Sequence, residues 1–289
     1  MKLNSRCMVC QVNSLGKNIL SLDLPEERKF ALVQDVLRHY ANCSMDMPSP
    51  EAYVAPWEHI YAANGGADPL KEDKRRDDEL GLSLLPVIQK EIDEAEDKFD
   101  AAMRFAIAAN ILDPMPQHGM TMDQVLKASA ETPLYVDDSK ELLNRLKRAE
   151  RILYLTDNAG EIAVDRLFIE NLIRLGITDA EKITVAVRGA PAGNDATMEN
   201  AERVGLTKLV KVIGNGNGAM GVLLDYCNQE FLDALYGADI VVSKGMGNFE
   251  SLHDWTGRPI AFLFITKCET VAELSGSPVG SFLCMLRNG

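Results

Sequence analysis

A chain of 289 residues, 46% hydrophobic and 25% charged, holds enough apolar material for one large α/β core or for a core with a smaller satellite. A formal charge of -13 and a pI near 4.8 exclude a general nucleic-acid or membrane-surface binder, because polyanions are repelled without a compensating basic patch. No stretch reaches the roughly 18 apolar residues of a spanning helix. The first residues lack the apolar core of an export signal, and six cysteines are too few for a disulfide scaffold, so a cytoplasmic protein with reduced thiols is expected.

In chain order, residues 24–40 put Phe30, Val33, Val36 and Leu37 on one helical stripe, with Pro25 suited to the first turn. Pro48, Pro50 and Pro56 read as a break, after which a helix resumes from Trp57 to Ala63. Another helix is expected within 70–97, its basic run 71–76 interleaved with Glu72 and Asp73 as a solvated face. The segment from Lys98 to Leu112, apolar nearly all round, reads as a buried helix.

Near residue 130 the period changes, which divides the chain into a helical domain over 1–130 and an α/β domain over 131–289. Short apolar runs recur at 152–155, 183–187, 209–213, 240–242 and 260–265, separated by amphipathic segments such as 162–175 and 222–236. Runs without polar alternation are what a parallel sheet covered on both faces requires. The expected fold is therefore a Rossmann-like doubly wound α/β/α domain with an N-terminal all-helical domain beside it.

Ligands of open parallel sheets bind beyond the carboxyl ends of the strands, so the residues after each run carry the chemistry. The first run is followed by Thr156-Asp157-Asn158-Ala159-Gly160-Glu161, the second by Arg188 and then Asn194-Asp195-Ala196-Thr197, and the third by the glycine-rich loop from Gly214 to Gly218. The fourth leads into Lys244-Gly245-Met246-Gly247-Asn248-Phe249-Glu250, the fifth into Thr266-Lys267-Cys268. Asp157, Asp195 and the Asn158 side-chain carbonyl make an all-oxygen set suited to a divalent cation such as magnesium or manganese, with cobalt or nickel as further candidates. Helix capping is the plainer reading for each of the three, and is compatible with ligation. Lys244 and Lys267, with backbone N–H groups exposed by Gly245 and Gly247, suit a phosphate; a turn is the plainer reading of that glycine pair.

These segments, in this order, closely resemble the motifs of the damage-control phosphatases, formerly a domain of unknown function. Cys7-Met8-Val9-Cys10 and Asn110-Ile111-Leu112-Asp113 resemble the cysteine-containing, mostly prokaryotic branch. The resemblance implies a helical domain beside a Rossmann-like one and metal-dependent removal of phosphate from small phosphometabolites, such as sugar phosphates or damaged metabolites. It implies that Asp157, Asn158 and Asp195 hold the metal, with Asp157, Asp195 and Lys244 in catalytic roles. Glu161, Lys244, Gly245, Gly247, Asn248 and Lys267 would contact the substrate. Phe264-Ile265-Thr266-Lys267 keeps only the lysine of the Arg-Thr-x-Lys pattern of the eukaryotic carboxyl-methylating branch.

Two other function classes remain at this point. A nucleotide- or S-adenosylmethionine-dependent transferase is weakened by a first loop that lacks GxGxxG; a non-catalytic phosphometabolite sensor would bind without releasing phosphate. Cys7 and Cys10 read first as unpaired thiols on a helix, although Cys268 could complete a metal site with them. Cys43, Cys227 and Cys284 read as buried apolar side chains. His39, His59, His118 and His253 read as surface or satisfied core histidines. Asn110 and Asp113 are candidates for polar contacts from the helical side of the cleft, with a capping role as the alternative for Asp113.

Overall fold

The computed structural model describes residues 1–112, 126 and 129–288. Asp113 and His118 lie outside the described residues. The chain opens with helices α1 (Ser5–Ser21), α2 (Glu26–Ala41) and α3 (Ser49–Ala63), which pack around Leu15, Ile19, Val36, Tyr53, Trp57 and Ile60. In α2 the buried positions are Val36 and Tyr40, while Phe30 and Leu37 are exposed. Of the expected stripe, Val33 and Val36 do pack towards the core of α1 to α3, and Tyr40 extends that face where Leu37 does not. Pro25 caps α2 rather than entering its first turn.

The expected proline break is helix instead, starting at Ser49. Pro48 precedes the first turn and Pro50 sits within it, where a missing N–H costs no bond. Pro56 lies inside the helix and cannot donate to the Ala52 carbonyl. The His39 ring donates to that carbonyl through Nε2 at 2.9 Å and restores the lost partner.

Helices α4 (Lys71–Glu94) and α5 (Lys98–Ala108), the latter ending in a 3-10 turn over Ala109–Leu112, belong to a different core. Leu84, Ile88 and Phe99 share one apolar cluster with sheet residues Ile152, Tyr154 and Val185. Among the described helices, α1 to α3 pack around a core separate from that of the sheet.

The sheet comprises β1 (Leu134–Asp137), β2 (Ile152–Leu155), β3 (Ile183–Val187), β4 (Lys211–Gly214), β5 (Ile240–Lys244), β6 (Ile260–Ile265) and β7 (Phe282–Arg287), ordered β1-β7-β6-β5-β2-β3-β4. All neighbours are parallel except β6 and β7. Three of the five expected runs match their strands, the third shifts to Lys211–Gly214 and the fourth extends to Lys244. β1 and β7 were not expected. β1 is an edge strand of only four residues with alternating burial, and β7 follows the last motif.

Between and after the strands lie α6 (Ser139–Arg148), α7 (Glu161–Arg174), α8 (Met198–Arg203), α9 (Gln229–Gly237), α10 (Gly245–Leu252) and α11 (Glu269–Ser275). Side chains alternate between the faces of the strands. Tyr154 and Val242 face α4, α5 and α7, whereas Leu153, Leu155 and Val241 face α9, α10 and α11. Cover on both faces is why these strands are uninterrupted apolar runs. β2 stands between β3 and β5, so the connections leaving β2 and β5 diverge at their carboxyl ends, the place where ligands of such sheets bind.

Candidate active site

Backbone hydrogen bonds join the first two strand-end loops. The Ala159 N–H donates to the Asn194 carbonyl at 2.9 Å and the Ala196 N–H to the Asp157 carbonyl at 2.8 Å, and Asn158 and Asp195 form an isolated antiparallel bridge. Asp157, Asn158 and Asp195, distant in sequence, are thereby fixed side by side and buried. The third element is α10. Gly245 opens it at φ +75°, and a Cβ there would overlap the Asp157 carboxylate. Only glycine permits both the conformation and the approach.

The carboxylates are held by amides. Asn158 Nδ2 donates to Asp157 Oδ2 at 2.8 Å and to Glu161 Oε2 at 3.2 Å; Asn110 Nδ2 reaches the same two oxygens at 3.0 and 2.8 Å. Asn110 arrives from the turn that ends α5, so the helical segment supplies part of the site. Arg188 Nε donates to Asp195 Oδ2 at 2.5 Å, and its Nη2 donates to Asn248 Oδ1 at 2.8 Å. Asn248 in turn donates to the Thr156 and Lys244 carbonyls, tying α10 to the end of β2.

Lys244 is fully buried at the end of β5. Its Nζ donates to Glu161 Oε1 and Asp165 Oδ1, both at 2.6 Å, and to the Ala106 carbonyl at 2.7 Å. These three acceptors match the three hydrogens of an ammonium. Burial opposes its charge, but Asp165 and Glu161 outweigh it and hold the Lys244 pKa above the ordinary lysine value. Burial pushes the Asp165 carboxyl up to about 6 against the pull of Lys244. Asp157 is raised well above the usual carboxylate range by burial, then by Glu161 and Asp195, with Lys267 and Arg188 opposing. Lys267, half-buried, is thus within electrostatic reach of Asp157.

The donor set fits a divalent cation. Asp157, Glu161, Asp165 and Asp195 are buried close together with Arg188 and Lys244 among them, and the crowding of carboxyl groups is part of what raises Asp157. Asn110 Oδ1 is buried without a hydrogen-bond partner among the described residues. No group of three or more His, Cys, Asp or Glu side chains among the described residues is arranged to hold a metal, so the set rests on two carboxylates and an amide carbonyl.

Arg188 was placed at a strand end by the sequence reading without being given a role, and Asp165, Tyr154 and Asp78 escaped it. Asp78 of α4 is fully buried and accepts from the Gly160 N–H at 3.0 Å, from Asn200 Nδ2 at 2.8 Å and from Arg203 Nη1 at 2.9 Å. Arg188 was legible as the first residue after β3; the others sit inside helix or strand patterns and carry no motif. The Gly214–Gly218 loop packs on the second strand-end loop, where Asn215 Oδ1 accepts from the Gly189 N–H at 2.8 Å. Cys7 and Cys268 are half-buried and Cys10 is exposed. Cys284 is buried as expected. Cys43 and Cys227 are only partly so, because they lie near helix and turn ends, where their thiols donate to the His39 and Leu223 carbonyls.

Fold and site together define an α/β protein with a buried cluster of acids and amides at the strand ends where the strand order reverses. Residues 3–283 match the model of the damage-control phosphatase ARMT1-like domain. A damage-control phosphatase of Pyrococcus horikoshii is 32% identical over 99% of this chain and 98% of its own, and one of Archaeoglobus fulgidus is 31% identical over 98% of each. A crystal structure of a DUF89 family protein from Pyrococcus horikoshii superposes with a TM-score of 0.88 at 31% identity, covering all of both chains. The chain belongs to the damage-control phosphatase ARMT1-like family.

Proposed function

We propose that this chain is a metal-dependent phosphatase that hydrolyses phosphomonoesters of small metabolites, sugar phosphates or related damaged metabolites. The observation that carries the reading is the backbone bridging of the Asp157-Asn158 and Asp195 loops within a cluster of four buried carboxyl groups. Asp157, Asn158 and Asp195 would hold the cation, manganese, magnesium, cobalt or nickel, which supplies charge neutralisation for the transferring phosphoryl group. Of the helical domain expected over 1–130, the α1 to α3 part would cover the site of the metal-binding domain expected over 131–289.

The chain's own groups divide the remaining work. Lys267, whose charge counters that of the Asp157 carboxylate, would meet a phosphate oxygen. The backbone from Gly245 to Asn248 comes close to Asp157 and would line the phosphate pocket. Glu161 faces the same pair of amides as Asp157 and would orient the attacking water. Lys244, its hydrogens committed to Glu161, Asp165 and Ala106, would act through Glu161.

The test is release of inorganic phosphate from a panel of phosphometabolites with each of the four metals, for wild type and Asp157→Asn. Metal-dependent release that Asp157→Asn abolishes is expected. Full activity in Asp157→Asn, or release unaffected by chelator, would sink the proposal.

A further inference from the structure

Beside Asp157 and Asp195 runs a second, wholly buried chain of polar contacts. The Tyr154 hydroxyl, on β2, donates to Asp165 Oδ1 at 2.7 Å. The same oxygen accepts from Lys244 Nζ, which also donates to Glu161 Oε1. Glu161 Oε2 accepts from the side-chain amides of Asn158 and Asn110. Tyr154 is 1% exposed, and Asp165, Lys244 and Glu161 are 0% exposed. Three elements contribute: β2 gives Tyr154, α7 gives Glu161 and Asp165 one turn apart, and β5 gives Lys244.

A buried ion pair of this kind costs desolvation that its mutual attraction scarcely offsets, so stability alone is a poor reason for it. Its geometry gives a better one. A carboxylate only accepts hydrogen bonds, so the Asn158 amide must turn its NH2 towards Asp157 and Glu161. That turns its carbonyl oxygen away from them, as a metal ligand requires. Glu161 therefore shares with Asp157 the holding of Asn158 in its ligand orientation, and Lys244 is the contact that fixes the far oxygen of Glu161. Lys244 in turn is aimed by Asp165, which the Tyr154 hydroxyl anchors. Outer contacts of this sort commonly tune metal affinity by about 10-fold to 100-fold.

We propose that Tyr154, Asp165 and Lys244 form a buried strut that positions Glu161 and, through it, the carbonyl of Asn158 for the cation. The inference rests on the site assignment of the phosphatase reading and makes Tyr154 and Asp165 positioning residues for it. It also gives Lys244 a role other than clamping phosphate.

The test measures two quantities on full-length protein. One is the Mn2+ dissociation constant by electron paramagnetic resonance, and the other is kcat and KM for p-nitrophenyl phosphate at saturating Mn2+. Tyr154→Phe removes one hydroxyl without changing charge and serves as the variant most certain to fold, which its melting temperature checks; Asp165→Asn removes the anchor. Mn2+ binding weakened about 3-fold to 10-fold in Tyr154→Phe and about 10-fold to 100-fold in Asp165→Asn is expected, with kcat lowered and KM within about 2-fold. A higher KM with Mn2+ affinity unchanged would overturn the strut and return Lys244 to the phosphate. Unchanged affinity and unchanged kcat in both variants would overturn it as well. Wild-type protein that binds Mn2+ but releases no phosphate overturns the phosphatase reading alone, since the affinity loss in the two variants still reports on the strut.

Discussion

The indole nitrogen of Trp57 donates to the carbonyl oxygen of Pro191 at 2.8 Å, across 134 positions of sequence. Trp57 belongs to the core of α1 to α3, and Pro191 to the loop that carries Asp195. One hydrogen bond thus joins the N-terminal helices to a strand-end loop of the sheet. Tyr53 stacks on the same indole with ring centroids 6.0 Å apart.

Trp57→Phe keeps an aromatic ring beside Tyr53 but leaves the Pro191 carbonyl without its donor. A loss of about 1 to 3 kcal/mol in unfolding free energy is expected, read by urea denaturation. Because the loop carries Asp195, metal binding should weaken as well. An unchanged Mn2+ affinity would show that the loop holds its shape without the indole.

Gly245→Ala and Gly176→Ala separate strain from steric conflict. Both glycines have positive φ, but a Cβ on Gly176 meets nothing within 4 Å whereas one on Gly245 overlaps Asp157. Gly176→Ala should cost about 1 kcal/mol and leave activity intact. Gly245→Ala should abolish metal binding and lower phosphate release by at least about 100-fold, with Asp157 displaced in a crystal structure of the variant.

Asp78→Ala leaves the Gly160 N–H, the Asn200 amide and the Arg203 guanidinium without their shared acceptor. Removing one partner of a buried pair costs about 3 to 5 kcal/mol. The upper part of that range is not expected, since Arg203 is partly exposed and retains Glu199. Chemical denaturation reads the loss, and a change under about 1 kcal/mol would mean that water replaces Asp78.

Glu250 gives a pH signature. Burial pushes its carboxyl up to about 7 from an ordinary value of 4.5, against the pull of the N-terminal ammonium of Met1. The folded state binds the proton more tightly than the unfolded one. This contribution is therefore fully present below about pH 4.5 and is lost as pH rises towards 7. Glu250→Gln, neutral throughout, should gain stability relative to wild type across that window, by up to about 3 kcal/mol at its upper end. Parallel pH–stability curves for the two proteins would refute the shift.

The strand runs at 152–155, 183–187 and 260–265 were legible because burial on both faces leaves a strand no polar positions. The loops after them were legible because topology puts ligands there. β1 was hidden by its half-exposed alternation, and the helical Pro50 and Pro56 by a rule that holds only until another donor arrives; His39 is that donor.

Sequence by itself determined the α/β period, the strand-end motifs and the acids and amides that make the site, because these follow from local burial and from residue chemistry. Tertiary structure alone decided what each group does there. It buried Lys244 among Glu161, Asp165 and the Ala106 carbonyl, paired Arg188 with Asp195, and brought Asn110 and Asp78 from the helical segment onto the first loop. The reason is physical: a charged side chain has its role fixed by the partners that offset its desolvation, and those partners lie on other elements, tens of residues away in sequence.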